Sequence, residues 1–373
     1  MKTGITSLEL RYIVKELQKL VGGKLDKIYQ PDKNELLISI HVPSSGKNLI
    51  RIVSGKYLYM TKFKPEMDSP SSFCMFLRKQ LGNAKVEEIK QLGTERIVRF
   101  KLRTFEGSKS LFIELFGKGN MVLTDDKMSI IGTRSQQRWR DRTVKKGYLY
   151  KHPETENNYL NVTEEILKRL LTKEEIEKSS IVKILATKLG LGGTYSEEVC
   201  LLSRLDKNKQ EVAEDEIKAI LRAIQGLADK AIEARTVGQN EEILDIVPFP
   251  LKIYASYDLK EFPSYNEALD SALSQMLVSE KEASRTKKYE NKLEKIRKII
   301  HAQEMQVKEL KDGSKQAQMI GDKLYENYTI IEDLLKKLKK QWKELGYEEL
   351  KEKYKKHKLV KEVMKNQEVI VEL

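Results

Sequence analysis

KQLGTERIVRFKLR, residues 90–103, is the stretch on which the fold turns. Gly93 marks a turn, and an adjacent carboxylate and guanidinium, Glu95 and Arg96, follow it. Then the period becomes two: Val98, Phe100 and Leu102 point one way, and Arg99, Lys101 and Arg103 the other. That alternation is a strand with one apolar and one basic face. The residues alone leave three roles open for Glu95-Arg96: a catalytic couple, a recognition pair or a plain surface ion pair.

The same period recurs on both sides. ELLISIHV (35–42), NLIRIVS (48–54), YLYMT (57–61), LFIEL (111–115) and MVLTD (121–125) read as strands joined by short turns rich in Gly, Ser, Asn and Asp. Short connections favour antiparallel pairing, because parallel strands need long crossovers. A helix, SSFCMFLRKQL (71–81), interrupts the set, and another occupies 7–21, with Thr6 and Glu9 as a capping box and Gly22-Gly23 as its end. The fold class is α+β, with an antiparallel-sheet domain over residues 1–170.

Residues 171–235 read as short helices. At their centre lies KLGLGGTYSEEVC (188–200), where Gly190, Gly192 and Gly193 make a tight turn and Thr194 with Glu197 opens the next helix as a second capping box, a helix-hairpin-helix arrangement. Residues 236–270 read as an irregular, proline-containing connector. From 271 to 373 the expectation is a long coiled-coil arm: Tyr289, Leu293, Ile296, Ile300, Val307, Leu310, Ala317, Leu324, Tyr328, Ile331, Leu335, Leu338 and Trp342 keep one heptad register. Gly313 and Gly321 weaken its middle, so a hinge or turn is expected there. Such a seam needs a cover, either a returning helix from a longer protein or a second copy of the chain.

The chain has 373 residues, a formal net charge of +13 and 34% charged residues. That balance suits an anionic partner. Cys74 and Cys200 form no framework spacing and sit in apolar runs, so buried thiols in a reducing compartment are expected. The start MKTGITSLEL lacks an apolar leader core, and no apolar run of about 18 residues occurs, so the expectation is a cytoplasmic protein without a membrane span. The four histidines are scattered, so neither metal nor cofactor is expected.

The basic charge is concentrated in RSQQRWRDRTVKKGYLYK (134–151). Arg134, Arg138, Arg140, Arg142, Lys145, Lys146 and Lys151 surround a single acid, Asp141, with Trp139, Tyr148 and Tyr150 interleaved. Arginine reaches phosphates bidentately and aromatic rings stack on bases, so this is a nucleic-acid surface, with a solvated basic loop as the alternative. The basic face of 96–103 is a second such surface. KEKYKKHKLVK (351–361) reads better as a solvated helix face. The glycine turn at 190–193, opening a helix at Thr194, offers free backbone N–H groups to a phosphate.

Several stretches together resemble the NFACT family. PSSFCMFLRKQL, EEIKQLGTERIVRF, IELFGKGNMVLTD and the GYLYKHP segment look like its N-terminal domain. KLGLGGTYSEEVC looks like its helix-hairpin-helix, and FPSYNEALD with KLYENYTIIEDLLKKL like the start of its coiled-coil and middle region. The matches run in family order, with an archaeal flavour. The family includes bacterial and eukaryotic ribosome quality control factors and proteins once labelled fibronectin-binding. The resemblance implies a non-enzymatic factor that binds an obstructed large ribosomal subunit carrying peptidyl-tRNA, through rRNA and ribosomal proteins. Such a factor recruits aminoacyl-tRNA, mainly tRNA-Ala, for mRNA-independent tailing of the stalled chain. The family's C-terminal RNA-binding domain is expected to follow residue 373.

The resemblance further implies a tRNA role for two acidic positions and an arginine, which fall on Glu9 and Glu95-Arg96, with Arg99 on the neighbouring basic face. The usual family acid is aspartate at both places; glutamate here keeps the charge and lengthens the arm. Glu9 has a competing role in its capping box. The N-terminal domain of the family is similar in fold to that of formamidopyrimidine-type DNA glycosylases, which makes a DNA-repair protein the alternative reading. Those enzymes attack with an N-terminal proline amine, and this chain starts Met1-Lys2-Thr3, without that nucleophile. A surface adhesin, as the old label suggests, would need an export route.

Overall fold

The computed structural model describes residues 2–67, 69–139, 142–153, 155–207, 209–240 and 242–372, with the backbone only at 275, 278–285 and 288. The chain divides into two compact units, Met1–Lys281 and Glu282–Leu373.

In the first unit, α1 (Ser7–Leu17) leads into β1 (Lys24–Asp32), β2 (Glu35–Val42), β3 (Gly46–Val53) and β4 (Tyr57–Thr61). Then come α2 (Ser72–Leu81), β5 (Lys85–Gln91), β6 (Ile97–Thr104), β7 (Gly107–Glu114), β8 (Asn120–Thr124) and β9 (Ile130–Thr133). Among the described residues these strands form one nine-stranded antiparallel sheet in the order β4-β3-β2-β1-β5-β6-β7-β8-β9. It is two meanders joined at one residue pair, Lys24 with Lys85, because the chain leaves β4 at one edge and re-enters through α2. α1 packs on β4 and β5, and α2 on β1, β6 and β9. Leu8, Leu10, Tyr12, Ile13 and Leu17 of α1 are buried, so this helix is a core element rather than a surface one. Cys74 and Cys200 are free and buried.

The strands expected at 35–42 and 57–61 coincide with β2 and β4, and those at 48–54, 96–103, 111–115 and 121–125 fall on β3, β6, β7 and β8. β1, β5 and β9 have no counterpart in the expectations. β5, KVEEIKQ, hides its period behind a bulge between Val86 and Glu88.

A two-stranded hairpin, β10 (Gln137–Arg138) and β11 (Thr143–Val144), follows the sheet. Then come α3 (Glu164–Leu170), α4 (Lys173–Lys178), α5 (Ile181–Lys188), α6 (Gly193–Leu202) and α7 (Glu214–Ala228). The stretch expected to be an irregular connector is largely ordered. β12 (Arg235–Gln239), β13 (Glu242–Val247) and β14 (Asp258–Glu261) make a three-stranded sheet in the order β13-β12-β14. Phe249, beyond β13, meets Tyr12 of α1 edge to face at 5.2 Å.

α8 (Tyr265–Glu326) begins in this unit. Its first N–H groups are satisfied at long range: the Glu16 carboxylate on α1 accepts from the backbone N–H of Tyr265 (2.8 Å) and Asn266 (2.9 Å). α8 runs through Gly313 and Gly321 without interruption. The break falls instead at Asn327, before α9 (Tyr328–Trp342). Flanking helix outweighs the propensity cost of about 1 kcal/mol per glycine.

Tyr289, Leu293, Ile296, Ile300, Val307 and Leu310 are exposed along α8, so no described residue covers this part of the seam. The distal end differs from the expected arm. α10 (Tyr347–Tyr354), β15 (Val360–Val363) and β16 (Val369–Val371) fold against α9, burying Leu334, Leu338, Leu350, Tyr354, Val360 and Val363 together. The basic run 351–361 is thus partly helix and partly turn and strand, not one helix face. No helix among the described residues is long and apolar enough to cross a membrane.

Candidate nucleic-acid interface

The β5–β6 turn carries Glu95 and Arg96. It closes through the N–H of Glu95 donating to the Leu92 carbonyl (2.9 Å), and Gly93 supplies a left-handed φ of 54°. Its position is fixed from α1: the Ser7 hydroxyl donates to the Thr94 carbonyl, and Gln91 donates to the Ser7 carbonyl (3.0 Å) and the Glu95 carbonyl (3.0 Å). The Glu95 carboxylate accepts from the Thr155 hydroxyl. The Arg96 carbonyl accepts from the Leu115 N–H (2.8 Å), but its half-buried guanidinium has no hydrogen-bond or ion-pair partner among the described residues. Burial pulls its guanidinium below the usual arginine range, and the nearby Glu95 charge opposes that.

Glu9 has a different situation. Its side chain is buried, and it forms both halves of the capping box: the Thr6 hydroxyl receives the Glu9 N–H, and the Glu9 carboxylate receives the Thr6 N–H at 2.8 Å. The other carboxylate oxygen accepts from Tyr195 Oη (2.9 Å) and from Lys2 Nζ (2.6 Å). Lys2 Nζ also donates to Asp245 Oδ1 (2.6 Å) and to the Ile246 carbonyl (2.9 Å), so its three N–H bonds are used. Tyr254 Oη donates to the second Asp245 oxygen at 2.7 Å. Two carboxylates thus face one ammonium in the interior. Burial alone would lower the Lys2 pKa, but Glu9 and Asp245 together hold it above the usual lysine range. Burial pushes the Glu9 carboxyl up, with Asp245 adding to it, although Lys2 pulls it down.

The expectation that Glu9 contacts tRNA needs correcting to this extent: in this arrangement the carboxylate is enclosed and engaged by Thr6, Tyr195 and Lys2. The signals missed in the sequence were Lys2 and Asp245, which look like ordinary surface charges until topology brings them to α1. The Lys2 amine, fully paired, is no free nucleophile either.

Arg99 is also occupied. Its guanidinium is held by Glu88 across the β5–β6 pair, while Lys101 and Arg103 share Glu87 at 3.5 and 2.7 Å. The basic face of β6 is therefore largely offset by the acidic pair in EEIKQ, two carboxylates against three cations, a pairing that depends on strand register.

At 190–193 the chain makes the expected glycine turn between α5 and α6, with φ of 73° at Gly190 and 81° at Gly192. The N-cap falls two residues earlier than the expected Thr194. Gly192 is the N-cap, Gly193 and Thr194 are already helical, and no side chain caps the end. The Thr194–Glu197 capping box is absent for that reason. A Cβ on Gly192 would lie 3.0 Å from Thr6 Cγ2, so this turn packs against the start of α1. Gly193 is exposed.

The 134–151 cluster sorts into two sets. Arg134 faces inward, donating to Asn34 Oδ1 (2.6 Å) and the Gly119 carbonyl (3.0 Å). Arg142 grips Glu114 with two nitrogens at 2.9 and 3.1 Å, and Tyr150 Oη donates to the same carboxylate at 2.9 Å. Arg142 thus belongs to the framework, a correction to its expected place as a ligand contact. Tyr150 stacks on Phe112 with ring centroids 4.0 Å apart. Arg138, Trp139, Lys145, Lys146, Tyr148 and Lys151 are exposed around the β10–β11 hairpin. Arg140 and Asp141 lie outside the described residues. The hairpin is flanked by grooves of about 650 and 400 Å³, both lined by Arg138, Thr143 and Tyr148.

A wide antiparallel sheet packed on α1, an arginine with no described side-chain partner at one strand mouth, a cationic and aromatic hairpin and a long helix define a mixed α/β protein. Residues 6–367 match the family described as NFACT N-terminal and middle domains, and the chain belongs to that family. It is 32% identical over 366 residues to an archaeal Rqc2 homologue, aRqcH, of Methanocaldococcus jannaschii, covering 94% of this chain and 54% of that protein. It is 31% identical over 175 residues to the Rqc2 homologue RqcH of Bacillus subtilis, 42% of this chain and 30% of that one. A Drosophila melanogaster homologue of the ribosome quality control complex subunit NEMF matches at 26% over 309 residues, 78% of this chain and 28% of that one. The chain thus spans about half the length of the archaeal relative or less of the others. In fold it is similar to the fibrinogen binding protein from Staphylococcus aureus, with a TM-score of 0.59 at 21% identity over 71% of this chain and 97% of that one. The N-terminal part of the fibronectin/fibrinogen-binding protein from Streptococcus suis gives 0.57 at 21%, over 73% and 100%. The likeness to these two concerns the fold alone.

Proposed function

We propose that this chain is the RNA-handling part of a ribosome quality control factor. It binds a large ribosomal subunit obstructed by peptidyl-tRNA, recruits aminoacyl-tRNA, most simply tRNA-Ala, and supports mRNA-independent tailing of the stalled chain. Its place is the cytoplasm, and it is not an enzyme, since peptide bonds are made by the ribosome. The observation that carries the reading is Arg96: a half-buried guanidinium without a side-chain partner among the described residues, at a turn fixed from α1, in a chain of this family. The exposed cations of the hairpin add sequence-independent affinity for a phosphate backbone. Relatives carrying the names Rqc2 and RqcH support the ribosomal assignment over DNA repair. A homodimer through the exposed seam of α8 is a subsidiary proposal, read by sedimentation.

The test is to isolate the tagged full-length protein from cells and sequence the RNA that co-purifies. Enrichment of large-subunit rRNA and of one tRNA over a mock isolation is expected; RNA no different from the mock would end the reading.

A further inference from the structure

We propose that the β10–β11 hairpin is a stacking site for an unpaired RNA base, with Trp139 as the platform. The proposal rests on the RNA-binding reading above and deepens it by naming the state of the RNA. Trp139 leaves 42% of its surface exposed, an unusual place for the largest apolar side chain. One face of its ring is already taken: the Arg142 guanidinium lies 4.3 Å from the ring centroid. That guanidinium cannot swing away without stranding Glu114, which it holds through two hydrogen bonds. The indole is therefore backed by a fixed cation, and its remaining exposure is open for a second planar group.

The surroundings say which planar group. Arg138, Lys145 and Lys151 line the two grooves of this hairpin, and none of the described lining residues is a carboxylate. Tyr148, 52% exposed, stands in both grooves as a second aromatic surface. Cations alone would serve a duplex, whose bases are stacked on one another and closed to side chains. Aromatic faces between cations serve a strand whose bases are splayed out, where ring stacking and phosphate contacts act together.

The test uses the full chain carrying Trp342→Phe, which leaves Trp139 as the one remaining tryptophan. It is titrated at low salt with an end-labelled eight-nucleotide oligouridine RNA, an abasic strand of equal length, and a blunt RNA duplex, affinities being read by filter binding and contact with the indole by Trp139 emission. The single strand is expected to quench Trp139 emission and saturate. The abasic strand, with the phosphates but no bases, is expected to bind about five- to 150-fold more weakly, the range for losing one base–aromatic stack, and to leave the emission unchanged. Trp139→Ala should weaken the oligouridine by the same factor while the abasic affinity stays constant. Trp139→Phe, which keeps a ring, should recover most of the loss and guards against a folding defect. Equal affinity for normal and abasic strands, or a duplex bound as tightly as the single strand, overturns the proposal. The broader reading is judged separately by co-purification. If Trp139→Ala still brings down large-subunit rRNA while the titration fails, only the base platform falls. If the titration succeeds and no rRNA co-purifies, the platform stands and the quality control role falls.

Discussion

Replacing Lys2 by Met tests the interior on which α1 depends. The substitution keeps a linear side chain of similar length and removes the single cation that faces Glu9 and Asp245. Both ion pairs are 2.6 Å long, with side-chain exposures of 7% for Lys2, 1% for Glu9 and 10% for Asp245. Removing one partner from such a pair leaves an uncompensated buried charge and costs about 3–5 kcal/mol. Here two carboxylates are stranded, so the upper part of that range is expected at pH 7.5. The pH dependence follows from Glu9. Its carboxyl is already raised by burial, and a raised acid contributes stability below its unfolded value that is lost as pH rises through the folded value. Without Lys2 the carboxyl moves further up, so the penalty of the variant is full at neutral pH and shrinks on acidification. The slope is about 1.4 kcal/mol per pH unit while one proton is being taken up. Urea denaturation of the full chain and of Lys2→Met at pH 7.5 and pH 5.5 gives both numbers. A loss under about 1 kcal/mol at pH 7.5, or the same loss at both values, would show that the cluster is not the closed ion pair described above.

Further outcomes concern the site and the arm. Arg96→Ala should leave the denaturation midpoint nearly unchanged, since the guanidinium has no partner to strand among the described residues, yet weaken tRNA in a filter-binding assay by about 1.5–3 kcal/mol, the range for a charge-assisted hydrogen bond. Glu9→Ala is expected to cost about 1 kcal/mol for the cap in addition to the broken ion pair, and its effect on tRNA binding should be non-additive with that of Arg96→Ala. Gly192→Ala should destabilise by about 1–2 kcal/mol because of its left-handed φ and the contact with Thr6, whereas Gly193→Ala, with nothing within 4 Å, should be neutral or slightly stabilising; thermal melts followed by circular dichroism compare the two. Gly313→Ala and Gly321→Ala each lie in open space inside α8 and should stabilise the helix by about 0.5–1 kcal/mol, seen as a higher melting temperature; a loss would indicate that a bend at these positions is used.

Alternation was readable wherever one strand face met the core and the other met solvent, as in β6, and the Thr6–Glu9 capping box is a local pattern that the structure contains unchanged. β1 was harder, because KLDKIYQPD carries a proline and two register shifts, and its burial is set by its partners. The distal cluster around Leu350 was hidden by its own lysines, which keep their charged ends in solvent and dilute the apolar signal. The site was legible in composition more than in geometry. The 134–151 run announced cations and aromatics, but which arginines face inward depended on Asn34, Gly119 and Glu114, residues far away along the chain. In the same way Arg99 looked available until β5 supplied Glu88. Long-range partners decide whether a basic residue is a ligand contact or a strut.

That distinction changes the meaning of the acid at position 9. Ser7 holds the turn that bears Arg96, and Thr6 at the same helix end packs on the glycine turn before α6. Glu9 fixes this helix end from inside, by capping Thr6 and by binding Lys2 and Tyr195. The β5–β6 turn and the α5–α6 turn are therefore referenced to one point, and the carboxylate that sets this point need never touch a ligand. A shorter acid at the same place would have to draw Lys2 and Tyr195 inward to keep both bonds, so glutamate here goes with the particular reach of Lys2 from the chain start. The longer side chain at position 95 answers a different demand, since its carboxylate accepts from Thr155 on the segment whose Tyr159 donates its N–H to Leu189 beside the α5–α6 turn. Both glutamates thus act as spacers between elements, and Arg96 is the one of the three whose side chain has no partner among the described residues, which is why the proposal places the phosphate contact there.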